Sequence, residues 1–561
     1  MARPASRDSS LYFDYPHYDF VRPPELDGES VRHPVVIVGG GPVGLTAALE
    51  LARHGIRCTV LDDKDTVNDG SRAICIARHS LEILQQLRLD RRFTGKALPW
   101  THGTSYYHTT PVYRLEMPHS EQERFYPMYN IQQQYIEKFL VDAAQENKLI
   151  DLRWQSRLED MVQHNDHVRL TVSTPEGQYK TEAAWVLAAD GARSTVRRCL
   201  DLKLRGDAYE GKYVIVDIRM QSDYPTERRA FFDPPGNPGA TVLIHKQPDN
   251  IWRVDYQLRE GESEEEALQE DNIRERVGAI LDMVGETGPW ELEWWSIYKA
   301  YTLALDDYRD KRVLFIGDAA HLVPIFGVRG LNSGFADAVN AGWKLACVIK
   351  GRAPESLLDS YSPERRGATL EVFANAIKST RFMTPPTRGY KLMREAALSL
   401  ALSQDFTRPL INPRQSQPYT YAASPLTSFP ERNAEFDHGP GAGTPLINRR
   451  IAEDDYLLDH LGPGFSGLYF SRDGKMADKL KKLFAKLKVG DEAFMPIIIT
   501  DSPATNSNKV IVDKEKQIFD AYDADYETFY LVRPDRHICA RWKLIKPEEV
   551  LAAFHQALGE T

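Results

Sequence analysis

Two kinds of apolar pattern divide this chain. Val35 to Val38 are four apolar residues in a row that end in glycine, and 59–61 repeats that pattern before an acid. Both predict buried strands, and the stretch between them predicts a helix. Leu81, Leu84 and Leu87 recur at helical spacing within 79–89, and Ile136, Phe139, Leu140 and Ala143 form one helical stripe further on. Residues 97–127 are rich in Tyr, His and Pro with weak periodicity. Between about 150 and 300 the apolar runs are short and alternating, as in 167–172, 213–220, 240–245 and 252–258, which predicts antiparallel sheet. A parallel-type strand then returns at 312–316, with a long helix through 336–349. Interruption and return of one pattern predicts a discontinuous domain with a sheet domain inserted.

The ends read differently. The first 33 or so residues are polar, aromatic and proline-bearing, as in an arm. From about 384 to 450 the chain is crowded with Pro, Gly, Gln, Asn and Ser and reads as a linker or wrapping segment. Strands at 467–470, 496–500, 529–532 and 538–542, with amphipathic stretches at 476–487 and 547–558, predict a small separate α/β domain.

A chain of 561 residues is long enough for two or three such units. Its net charge of -10 and lack of a basic block argue against a nucleic-acid partner. Cys58, Cys75, Cys199, Cys347 and Cys539 include no CxxC and no metal-ligand spacing, so no metal is expected and a reducing, cytoplasmic setting is the simplest reading. The N-terminus lacks the apolar core of a signal peptide, and no segment has the ~18 apolar residues of a membrane span.

Three distant segments carry candidate chemistry. In VVIVGGGPVGL, Gly39, Gly41 and Gly44 stand in GxGxxG register after a strand. Gly39 permits the tight turn, Gly41 lets a pyrophosphate approach the backbone, and Gly44 lets helix and strand pack closely. Pro42 suits the first helical turn, and the amides there face phosphate. Asp62, at the end of the second strand and eighteen positions after Gly44, is placed to accept hydrogen bonds from a ribose diol. By itself this motif fits NAD as well as FAD, or a glycine-rich turn without ligand. The second segment, WVLAADGARSTVRR, ends a strand in Asp190 and Gly191. The third, RVLFIGDAAHLVPIFGVRGLNSGFADAV, puts Asp318 at the carboxyl end of a strand, suited to ribityl hydroxyls. Its glycines and Asn332 open a helix whose amide end can face a flavin pyrimidine.

With all three in order, 35–380 resembles the single-component FAD-dependent aromatic hydroxylases, the group of para-hydroxybenzoate, phenol and 3-(3-hydroxyphenyl)propionate hydroxylases. The resemblance implies that Gly39, Gly41, Pro42, Gly44 and Asp62 hold the ADP half of FAD and Asp318 its ribityl chain. Arg72, in SRAICIARHSLEIL, and Gln133, in NIQQQYIEKFL, match positions that contact FAD. Asp190 and Gly191 match a segment associated with both FAD and NADPH or NADH. Gly330, Leu331 and Asn332 lie in what looks like the loop beside the flavin ring. The implied reaction is reduction of FAD by NAD(P)H, addition of O2, and hydroxylation of a phenolic or related aromatic substrate by the flavin hydroperoxide.

The implied organisation is an N-terminal arm (1–34), a Rossmann-like FAD-binding domain (35–96, 128–205 and 305–383), a substrate-binding antiparallel-sheet domain (97–127 and 206–304), a linker (384–450), and an α/β domain resembling thioredoxin (451–561) with Cys539 solitary. Ala189 replaces a cysteine found in many members, and Pro324, Ile325 and Phe326 replace a segment with a second proline. On the substrate side, Arg253 and Asp255 lie two apart in IWRVDYQL and so share a face. The pair suits phenol orientation and deprotonation, and equally an ordinary cross-strand ion pair. His245 is a further candidate, or simply a packed histidine. The alternatives are an FAD-binding sensor or scaffold, and a flavin-dependent halogenase, although WELEWWSIYK lacks the proline-ended tryptophan motif of that group. A homodimer is compatible with the large C-terminal appendage.

Overall fold

The computed structural model describes residues 10–259, 261–324, 327–411, 418–430, 435–489, 492–503 and 509–560. Ile325 and Phe326 therefore lie outside the described residues. The first sheet has a parallel core in the order Val313–Phe315, Gly177–Ala188, Arg32–Val38, Cys58–Leu61, Ile150–Arg153. Its register aligns Leu61, Val38, Ala188 and Phe315 in one row across the carboxyl end. Asp62, Gly39, Ala189 and Ile316 consequently leave the sheet side by side. This alignment turns segments more than a hundred residues apart into one site. Parallel strands buried on both faces need continuous apolar sequence, and Val35, Val36, Ile37, Val186, Leu187, Val313 and Leu314 are all fully buried.

Alternation between 150 and 188 belongs to this sheet rather than to the inserted one. Arg157–Gln163 and Val168–Thr174 extend it as antiparallel strands beside the first half of Gly177–Ala188. They alternate because one face meets solvent, which the sequence pattern alone does not assign to a particular sheet.

The second sheet has eight strands, in the order His321–Leu322, Trp290–Ala304, Arg205–Met220, Ile251–Gln257, Thr241–Lys246, Arg228–Phe232, His102–Tyr107, Thr110–Glu116. Period-two alternation sorts its faces. Val214, Val216, Val242, Ile244, Trp252, Val254 and Tyr256 pack with Ile273, Val277 and Ile280 of the helix Glu270–Met283. The opposite face turns toward the first domain. Residues 98–116, weakly patterned in sequence, supply the short strand Leu98–Trp100 and the outer hairpin of this sheet.

The polar segment after 384 is more than a connector. Arg388–Ala401 is a helix whose Leu398 and Ala401 pack with Ala230, Phe232, Leu243, Met383 and Ile411 over the outer half of the inserted sheet. The arm is also docked: Phe13 is buried, Tyr18 stacks on Trp154 at 4.4 Å, and Ser10 Oγ and Leu11 N donate to Glu293.

The C-terminal unit is a five-stranded mixed sheet in the order Val510–Val512, Met495–Thr500, Ser466–Phe470, Phe529–Val532, Ile538–Trp542, with the helix Pro547–Ala557. It is joined to the first domain through the helix Gly330–Ile349. Trp343 lies in the apolar core of the C-terminal unit. Buried Arg533 pairs with Glu364 and Asp535, and Lys344 donates to Glu364 at 2.7 Å. No helix among the described residues is long and apolar enough to cross a membrane.

Candidate active site

The row of strand ends opens into a cavity of about 1030 Å³ between the two large sheets. Its nucleotide end is built from the first glycine segment. Gly39 has φ +107°, and a Cβ there would lie 2.4 Å from the Ala189 carbonyl oxygen. Gly44 lies closer still, since its Cβ would fall 2.0 Å from the Gly39 oxygen. Gly41 differs: nothing lies within 4 Å of where its Cβ would stand, and it lines the cavity with Pro42 at the start of the helix Pro42–Arg53. The three glycines thus divide between packing, at 39 and 44, and open approach, at 41.

Asp62 is buried at the next strand end. One carboxylate oxygen accepts from Gly40 N at 2.7 Å and the other from Lys64 N at 3.0 Å. Burial raises its pKa, against the pull of Lys64 and those amides. The geometry holds the carboxylate facing the cavity, with acceptor capacity left for a diol. Asp190 accepts from Val196 N and leaves Oδ1 without a partner, while Gly191 has φ +75° and an open Cβ position. Asp318 sits deep in the molecule, yet its side chain is exposed to the cavity. Desolvation raises its pKa, and His321 and Arg72 act to lower it. Asp337 holds this turn in place. It accepts from Gly317 N at 3.0 Å, lies 2.7 Å from His321 Nε2, and accepts from Arg365 Nε at 2.6 Å.

Two expected cofactor residues, Gln133 and Asn332, line the cavity and are also hydrogen-bonded within the protein. Gln133 Oε1 accepts from the backbone amides of Arg72 and Ala73, and its amide donates to Glu137 at 2.8 Å. It positions the backbone of Arg72, whose own side chain stays exposed on the cavity wall. Asn332 accepts from Ala77 N and Ser80 Oγ and donates to the carbonyls of Cys75 and Val328. That clamp fixes the start of Gly330–Ile349, so that Gly330 and Leu331 line the cavity. Val328, just before it, has φ +59°, a strained value for a β-branched residue and the kind of outlier found at functional sites.

These features fit an FAD: a glycine turn open at one position, two acids spaced along the strand ends, an unpartnered carboxylate oxygen at Asp190, and a helix start over the inner end. Gly39, Gly41, Pro42, Gly44, Asp62 and Asp190 would hold its nucleotide half, and Asp318, Arg72, Gly330 and Leu331 the inner half.

At the inner end the cavity floor is the face of the second sheet opposite its helix. Pairing puts Trp294, Asp217, Arg253, His245 and Arg228 in one row across five strands, with Ser296, Ile215, Asp255 and Leu243 in a neighbouring row. Arg253 and Asp255 do share a face, but the ion partner of Arg253 is the cross-strand Asp217, with contacts of 2.6 and 2.8 Å. Its remaining donors reach the carbonyls of Ser71 and Arg72. Asp255 Oδ1 lies 3.8 Å from Arg253 Nε and has no hydrogen-bond partner. Burial pushes the Asp255 carboxyl up to about 7, with Asp217 adding to the rise and Arg253 and Arg228 opposing it. His245 stands between Arg253 and Arg228, and burial together with those cations lowers its pKa, so the ring is neutral. Its Nδ1 is unpartnered. Sequence reasoning missed Asp217, Arg228 and Asp337. For the first two a signal existed, a charged residue at a core position of an apolar strand, in VIVDI and RRAFF.

A family model described as FAD binding domain matches residues 32–376. Among curated proteins, a 3-(3-hydroxy-phenyl)propionate/3-hydroxycinnamic acid hydroxylase of Mycolicibacterium gilvum (strain PYR-GCK) is 26% identical over 540 residues, covering 94% of this chain and 92% of the relative. The enzyme of the same name from Escherichia coli O139:H28 (strain E24377A / ETEC) is 30% identical over 366 residues, 64% of each chain. Among solved structures, the flavin-dependent monooxygenase PieE in complex with FAD and substrate superposes with a TM-score of 0.77 at 21% identity, covering 95% of this chain and all of that one. The p-nitrophenol 4-monooxygenase PnpA from Pseudomonas putida DLL-E4 gives 0.59 at 24% identity over 68% of this chain and 97% of its own. The chain belongs to the FAD-binding-domain family and has the fold of the flavin-dependent monooxygenases.

Proposed function

We propose that this protein hydroxylates a phenolic ring beside its existing hydroxyl, with Asp255 as the base that draws off the phenol proton. The observation carrying this reading is a buried carboxyl, poised near neutrality, on the floor of a cavity continuous with a nucleotide cradle. A base whose pKa matches the working pH is efficient, and a phenolate ring is the better nucleophile toward an electrophilic oxygen. Bound FAD, reduced by NADPH or NADH, supplies the oxygen transfer.

The protein's own groups then orient and desolvate. The Asp255 carboxylate accepts the phenol proton, and neutral His245 lines the cavity on the adjacent strand beside it. Arg253 is a positioning residue: clamped by Asp217, it ties the 71–72 loop to the sheet and holds a positive charge near the phenolate. Ile215 and Leu243 in the row of Asp255 keep the floor dry. Five cysteines free of disulfides support a cytoplasmic setting. The C-terminal unit, thioredoxin-like without CxxC in our reading, acts as a support rather than a redox partner.

Purified holoenzyme given NAD(P)H, ¹⁸O₂ and a panel of phenols is expected to consume the nicotinamide faster with a phenol and to place ¹⁸O on its ring. FAD binding with no stimulation by any phenol would instead favour a sensor or scaffold, and halide incorporation a halogenase.

A further inference from the structure

Helix Arg388–Ala401 is apolar on two sides. Its inner stripe, Ala397, Leu398 and Ala401, is buried over the inserted sheet. Leu392, Met393, Ala396 and Leu400 recur at helical spacing on the other side, within a stripe about 100° wide, and all four are exposed. A helix packed on one core needs only the first stripe. The turn Asp405–Ile411 continues the second, with Phe406 76% and Leu410 65% exposed. Met393 and Leu410 meet at the mouth of a chamber of about 300 Å³ whose walls include Ala230, Phe232 and Ile411, so helix and turn present one continuous apolar face. Half of the large apolar side chains exposed among the described residues fall within 392–410. Single exposed apolar residues are ordinary, whereas such a concentration marks an interaction surface.

Charge says what covers it. The chain carries a net charge of -10, yet over 378–411 basic residues outnumber acidic ones six to two. Of the six, Arg394 is buried and the other five are exposed. Lys378 and Arg381 stand at the rim of the chamber, Arg388 and Lys391 on the flank of the helix beside the outer stripe, and Arg408 on the turn, 3.1 Å from Asp405. Apolar side chains are thus bordered by cations on an otherwise acidic molecule. A second copy of the chain fits this face poorly, because a two-fold contact would set the basic rim against itself. A surface with an apolar interior and anionic headgroups answers both features at once.

We propose that this face rests on an anionic lipid bilayer, with helix Arg388–Ala401 lying in the plane of the interface and no helix among the described residues crossing it. Phe406, Leu410 and the outer stripe enter the boundary between headgroups and acyl chains. Arg388, Lys391, Lys378 and Arg381 meet the headgroups, and the mouth of the chamber opens to the lipid. The contact is independent of the hydroxylase chemistry.

The test mixes the FAD-loaded full-length protein with vesicles of phosphatidylcholine, alone or with about one-third phosphatidylglycerol, and reads partition by sedimentation. Wild type is expected to bind the anionic vesicles at least about tenfold more tightly than the neutral ones, and to be released by salt. Arg388→Gln with Lys391→Gln should weaken binding about fivefold per charge removed. Phe406→Gln with Leu410→Gln should weaken it about tenfold or more. Val162→Gln, at an exposed apolar position on the first sheet, should change nothing. All these side chains are exposed, and unchanged flavin content reports an intact fold. Wild type that ignores both kinds of vesicle overturns the proposal, as does binding that survives both double variants. A dimer in sedimentation equilibrium that Phe406→Gln with Leu410→Gln breaks, in protein that does not bind vesicles, would assign the face to a second copy and overturn it too.

Discussion

Alanine at Gly41 and at Gly44, three residues apart, is expected to separate cofactor binding from folding. Gly41 has φ -75° and ψ -178°, which any residue adopts, and a Cβ there touches nothing within 4 Å. Gly41→Ala should leave the apoprotein within about 1 kcal/mol of wild type, on the favourable side because the unfolded chain loses freedom. Its methyl would instead stand where a pyrophosphate approaches the helix amides. Loss of one hydrogen bond to a charged oxygen costs about 1.5–3 kcal/mol, which raises the Kd for FAD by about 10- to 150-fold. Gly44→Ala reverses the pattern. Its Cβ would lie 2.0 Å from the Gly39 oxygen and 3.2 Å from Ala189 Cβ, and relieving that overlap should cost the apoprotein about 1–3 kcal/mol. Flavin fluorescence quenching reads the affinity, and urea unfolding of apoprotein reads the stability. An FAD affinity for Gly41→Ala within about threefold of wild type, in an apoprotein of normal stability, would refute the placement of the pyrophosphate.

Three further outcomes follow from other parts of the site. Activity on a phenol should rise with pH through about 7 as Asp255 ionises, and Asp255→Asn should flatten that profile; a profile unchanged by the substitution removes Asp255 as the base. The same group links pH to stability: its folded pKa lies above the ordinary 3.8, so its contribution is full below that value and is lost as pH rises through about 7. Asp217→Asn removes the close ion partner of buried Arg253 and leaves Asp255, 3.8 Å away, as its counter-ion. It should cost about 1–3 kcal/mol in urea unfolding and lower the pH at which Asp255 ionises, and a loss under about 1 kcal/mol with an unshifted pH profile would mean that Asp217 is not the group that holds the guanidinium. Cys539 is fully buried and its thiol is pushed up by that burial, so it should resist alkylation in the folded protein. Peptide mass spectrometry showing rapid labelling at Cys539 would contradict this.

The nucleotide end was legible because its chemistry is local: a turn that needs Gly39, close packing that needs Gly44, and acids at fixed offsets from strand ends. The floor of the inner cavity was not, because it is made by register. IWRVDYQL shows that Arg253 and Asp255 share a face, but only pairing with Arg205–Met220 shows that Asp217 claims Arg253 and leaves Asp255 free. Arg228 carried a signal, a charge at a core position of RRAFF, but its surroundings were not legible, since they depend on what the neighbouring strands place beside it. Over 384–450 composition suggested a linker or wrapping segment but did not show the helix Arg388–Ala401, whose apolar stripe caps the inserted sheet. At Gln133 and Asn332, both on the cavity wall, the structure adds hydrogen bonds to the backbone of Arg72, Ala73 and Ala77 that the sequence does not show.

Helix Gly330–Ile349 begins at the flavin cavity and is embedded in the C-terminal core by Trp343, about 20 Å further along at 1.5 Å per residue. The two modules therefore lack a clean seam. Chimeras that exchange the last hundred or so residues with those of a homologue would bare Lys344 and Glu364 unless the graft also brings counterparts of Arg533 and Asp535. Shuffling at this boundary calls for co-transplanting both faces of that charge cluster, and truncation before it would loosen the rod on which the inner wall of the cofactor site is mounted.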